Sequence, residues 1–352
     1  MRVLYYAEPK WGLTGGPDNV ALYLTKALSK KLSITYFPFS ALSKNYVKNL
    51  LNVFTQFARK DFDIIHFNYV PALTNGSYML LELCNRMGYP VVLNIHGIIP
   101  LESEIEMKGS PPFWSLAAAL RSCKLADAIV ANSKYMKTKL ETFYGVDPDK
   151  IVVIPNGIDL TMFTGHSNKL LLQGDPSILF LGYPGRMKGV DILLQAIASL
   201  KSELPDMRLH LVGWAQESSD QEMVNKLGIE KFVVFHGGVS HKMVPLYFRS
   251  ADICVFPSRH EGFPLTVLEA MASGTPIIAS NIDIFRDVLN EGERGLLFDL
   301  ADPSTLANSI LALYRNLPLR RKLSQAALRL VPKYSWENIA DMYISLYHRL
   351  RQ

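Results

Sequence analysis

The sequence predicts an α/β protein made of two doubly wound, Rossmann-like parallel-sheet domains, and three observations predict it. Short apolar, β-rich runs alternate with helical segments along the chain. The rhythm pauses at Thr164-Gly165-His166-Ser167-Asn168 and then restarts. At 352 residues the chain is about twice the length of one ordinary domain, so two cores are expected.

The strand-like runs are 3–7, 32–37, 63–67, 91–95, 128–131 and 151–154 before the pause, and 178–181, 208–212, 233–235, 253–256, 276–279 and 296–298 after it. Helix-length segments between them make βαβ crossovers, which pair strands in parallel. The first domain is placed at 1–165 and the second at 166–334. Ligands of such sheets bind beyond the carboxyl ends of the strands, so a site between the domains is expected. The last segment, Tyr334-Ser335-Trp336-Glu337, opens like a capped helix, with Ser335 as N-cap and Ile339, Met342, Tyr343 and Leu346 at helical spacing. Helix 335–352 either closes the second domain or crosses back to the first.

Composition removes several classes of function. With 49% apolar and 20% charged residues the chain is neither disordered nor a coiled coil. No apolar run reaches the roughly 18 residues that span a bilayer, and the start, Met1-Arg2-Val3-Leu4-Tyr5-Tyr6-Ala7, lacks the long apolar stretch of a signal peptide, so a cytoplasmic protein is expected. Cys84, Cys123 and Cys254 are odd in number and far apart, which predicts buried thiols rather than disulfides or a zinc cluster. A net charge of +5 falls short of a nucleic-acid binder. The excess lies in the first half, where Arg121, Lys124, Lys134, Lys137 and Lys139, with Lys44, Lys48, Arg59 and Lys60, could meet an anionic membrane at its inner face. A solvated helix surface is the simpler reading of the same residues.

The most informative stretch runs from Pro257 to Pro276, PSRHEGFPLTVLEAMASGTP. It follows an apolar strand, turns at Gly262, starts a helix near Pro264 and ends it at Gly274. The N–H groups of Leu265, Thr266 and Val267 at that helix start could bind phosphate. Glu261 precedes the terminus, and Glu269 lies more than a turn inside, too deep to cap the helix and suited to sugar hydroxyls. On helix geometry alone, a loop charge and a surface residue are equally good readings of the two glutamates. A second cluster, Phe180-Leu181-Gly182-Tyr183-Pro184-Gly185-Arg186-Met187-Lys188-Gly189, places Arg186 and Lys188 in the loop after the first strand of the second domain, where cations can face a diphosphate.

In the first domain, Thr14-Gly15-Gly16-Pro17 sits where a phosphate-binding turn would, before a helix expected near 20–29, but it lacks the G-x-G-x-x-G spacing of a dinucleotide site. His96-Gly97 ends the fourth strand and puts an imidazole at a strand end. Asp61-Phe62-Asp63 and Asp147-Pro148-Asp149 have the acidic pattern of a metal site, but both precede strands and so belong at the opposite edge; no bound metal is predicted.

These residues together resemble the retaining, nucleotide-sugar-dependent glycosyltransferases of the GT-B fold, family-four type. The likeness runs through the Gly15-Gly16 loop, Asn94-Ile95-His96-Gly97, Ala131-Asn132-Ser133, Ile154-Pro155-Asn156-Gly157-Ile158-Asp159, Lys188-Gly189 and, above all, Glu261 to Pro276. The resemblance implies hexosyl transfer from a UDP- or GDP-linked sugar to a glycan, lipid or small-molecule hydroxyl, with no cofactor and no nucleic-acid partner. It implies that Glu261 contacts the donor sugar and Glu269 the ribose hydroxyls, while Gly262, Phe263, Pro264, Leu265 and Thr266 wrap the diphosphate. Lys188 would meet the diphosphate, His96 the reacting sugar, Gly16 a phosphate or the acceptor, and backbone near Gly238 and Val239 the base. One departure stands out: the family's arginine directly after the strand-ending glycine is Tyr183 here, and Arg186 is either its substitute or a solvated loop charge. A glycosidase would also use two carboxylates but has no use for a phosphate-binding helix start, and a two-lobed sugar-binding protein would normally carry an export signal.

Overall fold

The computed structural model, which describes residues 1–7, 16–38, 55, 61–70, 77–97, 113–165, 168–182, 186–213 and 218–352, turns every strand-like run of the sequence into a strand. Two units result: Met1–Gly157 with Tyr334–Gln352, and Ile158–Lys333. The first holds strands β1 (Arg2–Ala7), β2 (Ser33–Pro38), β3 (Ile64–Phe67), β4 (Val91–Ile95), β5 (Ala128–Ala131) and β6 (Ile151–Val153), with helices α1 (Gly16–Leu28), α2 (Ser77–Arg86), α3 (Phe113–Leu125) and α4 (Lys134–Tyr144). Its parallel sheet runs β2-β1-β3-β4-β5-β6. Every residue of β3, β4 and β5 is buried, because helices cover both faces of a doubly wound sheet; that is why these strands read as apolar runs. Ser133 caps α4 by accepting the Met136 N–H, which accounts for the Ala131-Asn132-Ser133 motif.

The second unit holds helix α5 (Leu160–Phe163), then β7 (Ser177–Leu181), α6 (Val190–Leu200), β8 (Arg208–Val212), α7 (Ser218–Leu227), β9 (Val233–Gly237), α8 (Val244–Ser250), β10 (Ile253–Phe256), α9 (Leu265–Ala272), β11 (Ile277–Ser280), α10 (Asp283–Leu289), β12 (Leu296–Phe298), α11 (Pro303–Arg315) and α12 (Leu317–Leu330). Its sheet order is β12-β11-β10-β7-β8-β9, also parallel. The order reverses between β7 and β10, and the chain leaves these neighbouring strands toward opposite faces of the sheet. In open α/β sheets ligands bind beyond the carboxyl ends of the strands at such a reversal.

The final helix, α13 (Trp336–Leu350), belongs to the first unit. Ser335 caps it through the Asn338 N–H at 3.2 Å, and Trp336 stacks with Tyr23 of α1 at 6.1 Å between ring centres. A Cβ on Gly157 would lie 2.5 Å from the Trp336 ring, so the glycine of the Asn156-Gly157 motif is the seat of this helix. Lys30 and Lys31 pair with Glu337 and Asp341.

Three expectations change in detail. The unit boundary falls at Gly157/Ile158 rather than 165/166, because Asp159 caps α5 and Phe163 packs against His241, both within the second unit. Helix α1 starts at Gly16, four residues earlier than expected, with Pro17 in its first turn, where the missing N–H costs nothing; Thr14 and Gly15 lie outside the described residues. Met342 faces outward on α13, and Tyr347 takes the buried place beside Tyr343. Of the basic residues, Arg121, Lys124 and Lys134 are exposed, Lys137 and Lys139 are half-buried, and Lys44, Lys48, Arg59 and Lys60 lie outside the described residues. All three cysteines are free and buried. Among the described residues no helix is long and apolar enough to cross a membrane.

Candidate functional site

The loops after β7 and β10, the two strands flanking the reversal, bring Lys188 and Glu261 together. Lys188 Nζ donates to Glu261 Oε1 at 2.7 Å, and the Ser258 hydroxyl donates to the same oxygen at 2.8 Å. Arg259 holds the two loops in register. Its guanidinium grips Asp191 through both nitrogens at 2.8 and 2.6 Å and the Arg186 carbonyl at 2.7 Å, while its N–H bonds the Met187 carbonyl. Residues Arg186–Lys188 form one 3₁₀ turn, with the Arg186 side chain exposed; Tyr183, the departure from the family pattern, lies outside the described residues. The turn ends at Gly189, whose φ of +67° and whose place against the Pro257 carbonyl suit only glycine. Ser258 and Arg259 were missed by the sequence reading. Their partners are distant in sequence, and nothing local marks them.

Helix α9 starts at Leu265 with no side-chain cap. Of the three N–H groups expected to be open, Leu265 donates to the Phe263 carbonyl and Val267 to the Pro264 carbonyl, both at 3.0 Å. Among the described residues, Thr266 is the one of the three left for a ligand. Glu269, one turn on, is half-buried and does not join Glu261; His241 Nε2–H donates to its Oε1 at 3.1 Å. His241 follows Gly238 and Val239 in the loop at the carboxyl end of β9, where Gly238 is exposed and a Cβ on it would meet nothing within 4 Å. The sequence reading stopped at Val239 and so missed this histidine.

Hydrogen bonding to Glu269 holds the His241 imidazole above its ordinary 6.5, whereas burial pushes the Glu269 carboxyl upward. A histidine whose pKa is raised by folding stabilises most below its unfolded value, and that contribution is lost as pH rises through the folded one. Thermal melts should therefore show the wild type losing stability relative to His241→Gln as pH increases above about 6.5. A difference that stays flat from pH 6 to 9 would remove the pair.

In the first unit, His96 follows β4. Its Nε2 lies 2.8 Å from the Asn68 carbonyl, which can only accept, so Nε2 carries the proton and Nδ1 keeps its lone pair. Burial lowers its pKa from 6.5 to about 4, leaving the ring neutral at pH 7. Asn68 is fixed in turn, its Oδ1 accepting from the Tyr5 hydroxyl at 2.7 Å and from Asn94 Nδ2 at 3.2 Å, and the Tyr343 hydroxyl of α13 donates to Asn94 Oδ1 at 3.2 Å. The C-terminal helix is thus wired to the strand ends that carry His96. Gly16 stands at the first position of α1.

The acidic pairs do structural work at the amino ends of their strands. Asp63 accepts the Arg2 N–H at 2.7 Å and pairs with Arg351, Asp61 pairs with Arg2, and Asp147 accepts the Asp149 N–H. Among the described residues no three metal-type side chains cluster.

Comparison with known proteins adds independent findings. Residues 164–329 match the family described as glycosyl transferases group 1, and residues 14–162 that described as glycosyltransferase family 4. The chain is 29% identical over 300 residues to a D-inositol 3-phosphate glycosyltransferase of Arthrobacter sp. (strain FB24), spanning 82% of this chain and 70% of that protein. A protein of the same name from Xylanimonas cellulosilytica is 27% identical over 97% of this chain and 93% of its own length. Among solved structures, sucrose-phosphate synthase from Thermosynechococcus elongatus superposes with a TM-score of 0.80 at 21% identity, over 99% of this chain and 98% of that one. HepE of Anabaena, solved in complex with UDP and glucose, gives 0.77 at 17% over 99% and 100%. At these identities the structures establish the shared two-sheet fold.

Proposed function

We propose that this chain, which belongs to the glycosyl transferases group 1 family, moves a hexosyl group from a UDP- or GDP-linked sugar to an acceptor hydroxyl, with retention of configuration and without a metal ion. The observation that carries this is the Lys188–Glu261–Ser258 cluster beside the uncapped start of α9, at the carboxyl ends of β7 and β10. Departure of the nucleotide diphosphate gathers negative charge on its terminal oxygens. Lys188 has three N–H donors and gives one to Glu261, so two stay available for those oxygens, with the Thr266 N–H beside them and Arg186 as a second cation. Residues Gly262, Phe263, Pro264 and Leu265 wrap the diphosphate, Gly238 and Val239 lie toward the base, and Glu269 takes the ribose hydroxyls.

Glu261 Oε2 remains for a donor-sugar hydroxyl, with neutral His96 as a further acceptor and Gly16 toward phosphate or acceptor. In this reading both carboxylates serve hydroxyls, Glu261 those of the donor sugar and Glu269 those of the ribose, which favours front-face displacement over a covalent intermediate. The anomeric C–O bond to phosphate breaks, the acceptor oxygen bonds the same face, and the acceptor's proton passes to the leaving phosphate oxygen.

The test is incubation with a panel of UDP- and GDP-hexoses and hydroxyl acceptors, among them the D-inositol 3-phosphate named for the relatives, in excess chelator. Nucleotide diphosphate release with an α-product from an α-donor is expected. Loss of activity restored by magnesium, or an inverted product, would overturn the metal-free or the retaining part.

The two glutamates should separate kinetically. Ribose contacts are equal in ground and transition states, so Glu269→Ala should weaken nucleotide diphosphate binding about tenfold, ~1.4 kcal/mol, whereas Glu261→Ala should chiefly lower kcat. Unchanged affinity for the free nucleotide in both variants would sink the assignment.

A further inference from the structure

At the amino ends of β10 and β11, opposite the ends that carry Lys188 and Glu261, a cavity of about 390 Å³ opens among the end of α8, the turn after α9 and the first two turns of α12. The helix contributes Leu317, Arg320, Arg321 and Ser324, at spacings of three, one and three, hence a single face. Four cations line the cavity, Lys169, Arg249, Arg320 and Arg321, against one carboxylate, Asp252. That carboxylate is already engaged: Oδ2 accepts from the N–H and hydroxyl of Ser177 at 2.9 and 2.8 Å, and Oδ1 meets Arg320 Nη1 at 3.5 Å. Lys169 and Arg321 make no ion pair among the described residues.

The walls also hold four buried polar atoms with no hydrogen-bond partner among the described residues: Arg249 Nη1, Arg320 Nε, Ser273 Oγ and Ser324 Oγ. Buried donors left unpaired are destabilising, and these four lie just behind the cavity surface, so a rotation of the guanidinium and hydroxyl groups would turn them toward a ligand. Guanidinium forks and hydroxyls together offer more donors than one carboxylate accepts, and they match the oxygens and double charge of a phosphate group. Phe248, Pro276 and Leu317 supply apolar wall for an organic portion, and the volume fits a small ligand.

We propose that this cavity is a second anion site, separate from the donor site, that takes a small molecule carrying a phosphate group. The inference does not rest on the donor assignment, which nucleotide diphosphate release tests by itself. Pyrophosphate would be titrated calorimetrically into the full-length Lys188→Ala protein, where the donor site has lost its diphosphate cation, and into the same protein carrying Lys169→Ala and Arg321→Ala. Lys169 and Arg321 are exposed, so these changes leave the fold intact, which a thermal melt verifies. Saturable binding in the first protein, weakened tenfold or more in the second, is expected.

Absence of saturable binding in the first protein, or equal affinity in both, would overturn the proposal. Co-sedimentation of both proteins with phosphatidylglycerol and with phosphatidylcholine vesicles identifies the source. Anionic vesicles that retain only the first protein point to a lipid headgroup, and equal behaviour with vesicles alongside the pyrophosphate difference points to a soluble phosphate ester.

Discussion

Lys188→Ala is expected to lower kcat a hundredfold or more, about 3 kcal/mol of transition-state stabilisation, in a protein that melts near the wild-type temperature. The ammonium is held in place before any ligand arrives, by Glu261 at 2.7 Å and by a turn that Arg259 fastens at three points, so it costs no reorganisation when charge develops on the leaving phosphate. Its ion pair with Glu261 is partly exposed and contributes little to stability, so the loss should appear in the rate rather than in the melt. Arg186→Ala should cost about tenfold at most, because its side chain is exposed and is not positioned in advance. Steady-state kinetics at saturating donor compare the two, and a Lys188→Ala enzyme within about threefold of wild type would remove the cation from the mechanism.

The second large effect is on the backbone beneath that lysine. Gly189→Ala would set a Cβ 1.9 Å from the Pro257 carbonyl oxygen at a φ of +67°, and the oxygen belongs to the loop that carries Glu261. Since the obstacle is backbone, the two loops must separate. We expect destabilisation of about 3 kcal/mol or more, a fall in Tm of roughly 5–10 °C, and loss of activity as Lys188 leaves Glu261. Gly228→Ala is the internal control, with a similar φ of +61° but only the Lys201 ammonium nearby at 3.8 Å; it should cost about 1 kcal/mol. Equal melting temperatures for the two variants would contradict the steric account.

Much of the two-sheet fold was legible from the chain. Strands buried on both faces leave short apolar runs, and each crossover leaves a helix-length gap, so all the strands could be placed to within two residues. The order β12-β11-β10-β7-β8-β9 was not legible, because parallel strands pair through main-chain hydrogen bonds that any apolar run can make. That order is what sets the Lys188 and Glu261 loops side by side across 73 residues of sequence.

At the level of single residues the division follows the same physics. Sequence by itself determined the alternating α/β rhythm and the helix that starts after Pro264, since each depends on neighbours a few positions away, and it singled out Glu261, Glu269 and Lys188 only through their resemblance to a family motif. Only the tertiary structure decided that Glu269 is matched with His241 rather than Glu261, and that Arg259 and Asp191 lock the lysine turn. It alone gathered Lys169, Arg249, Arg320 and Arg321 around one cavity from three separate segments. Hydrogen bonds and charge act over a few ångströms in space, and the fold chooses which distant residues come within that reach.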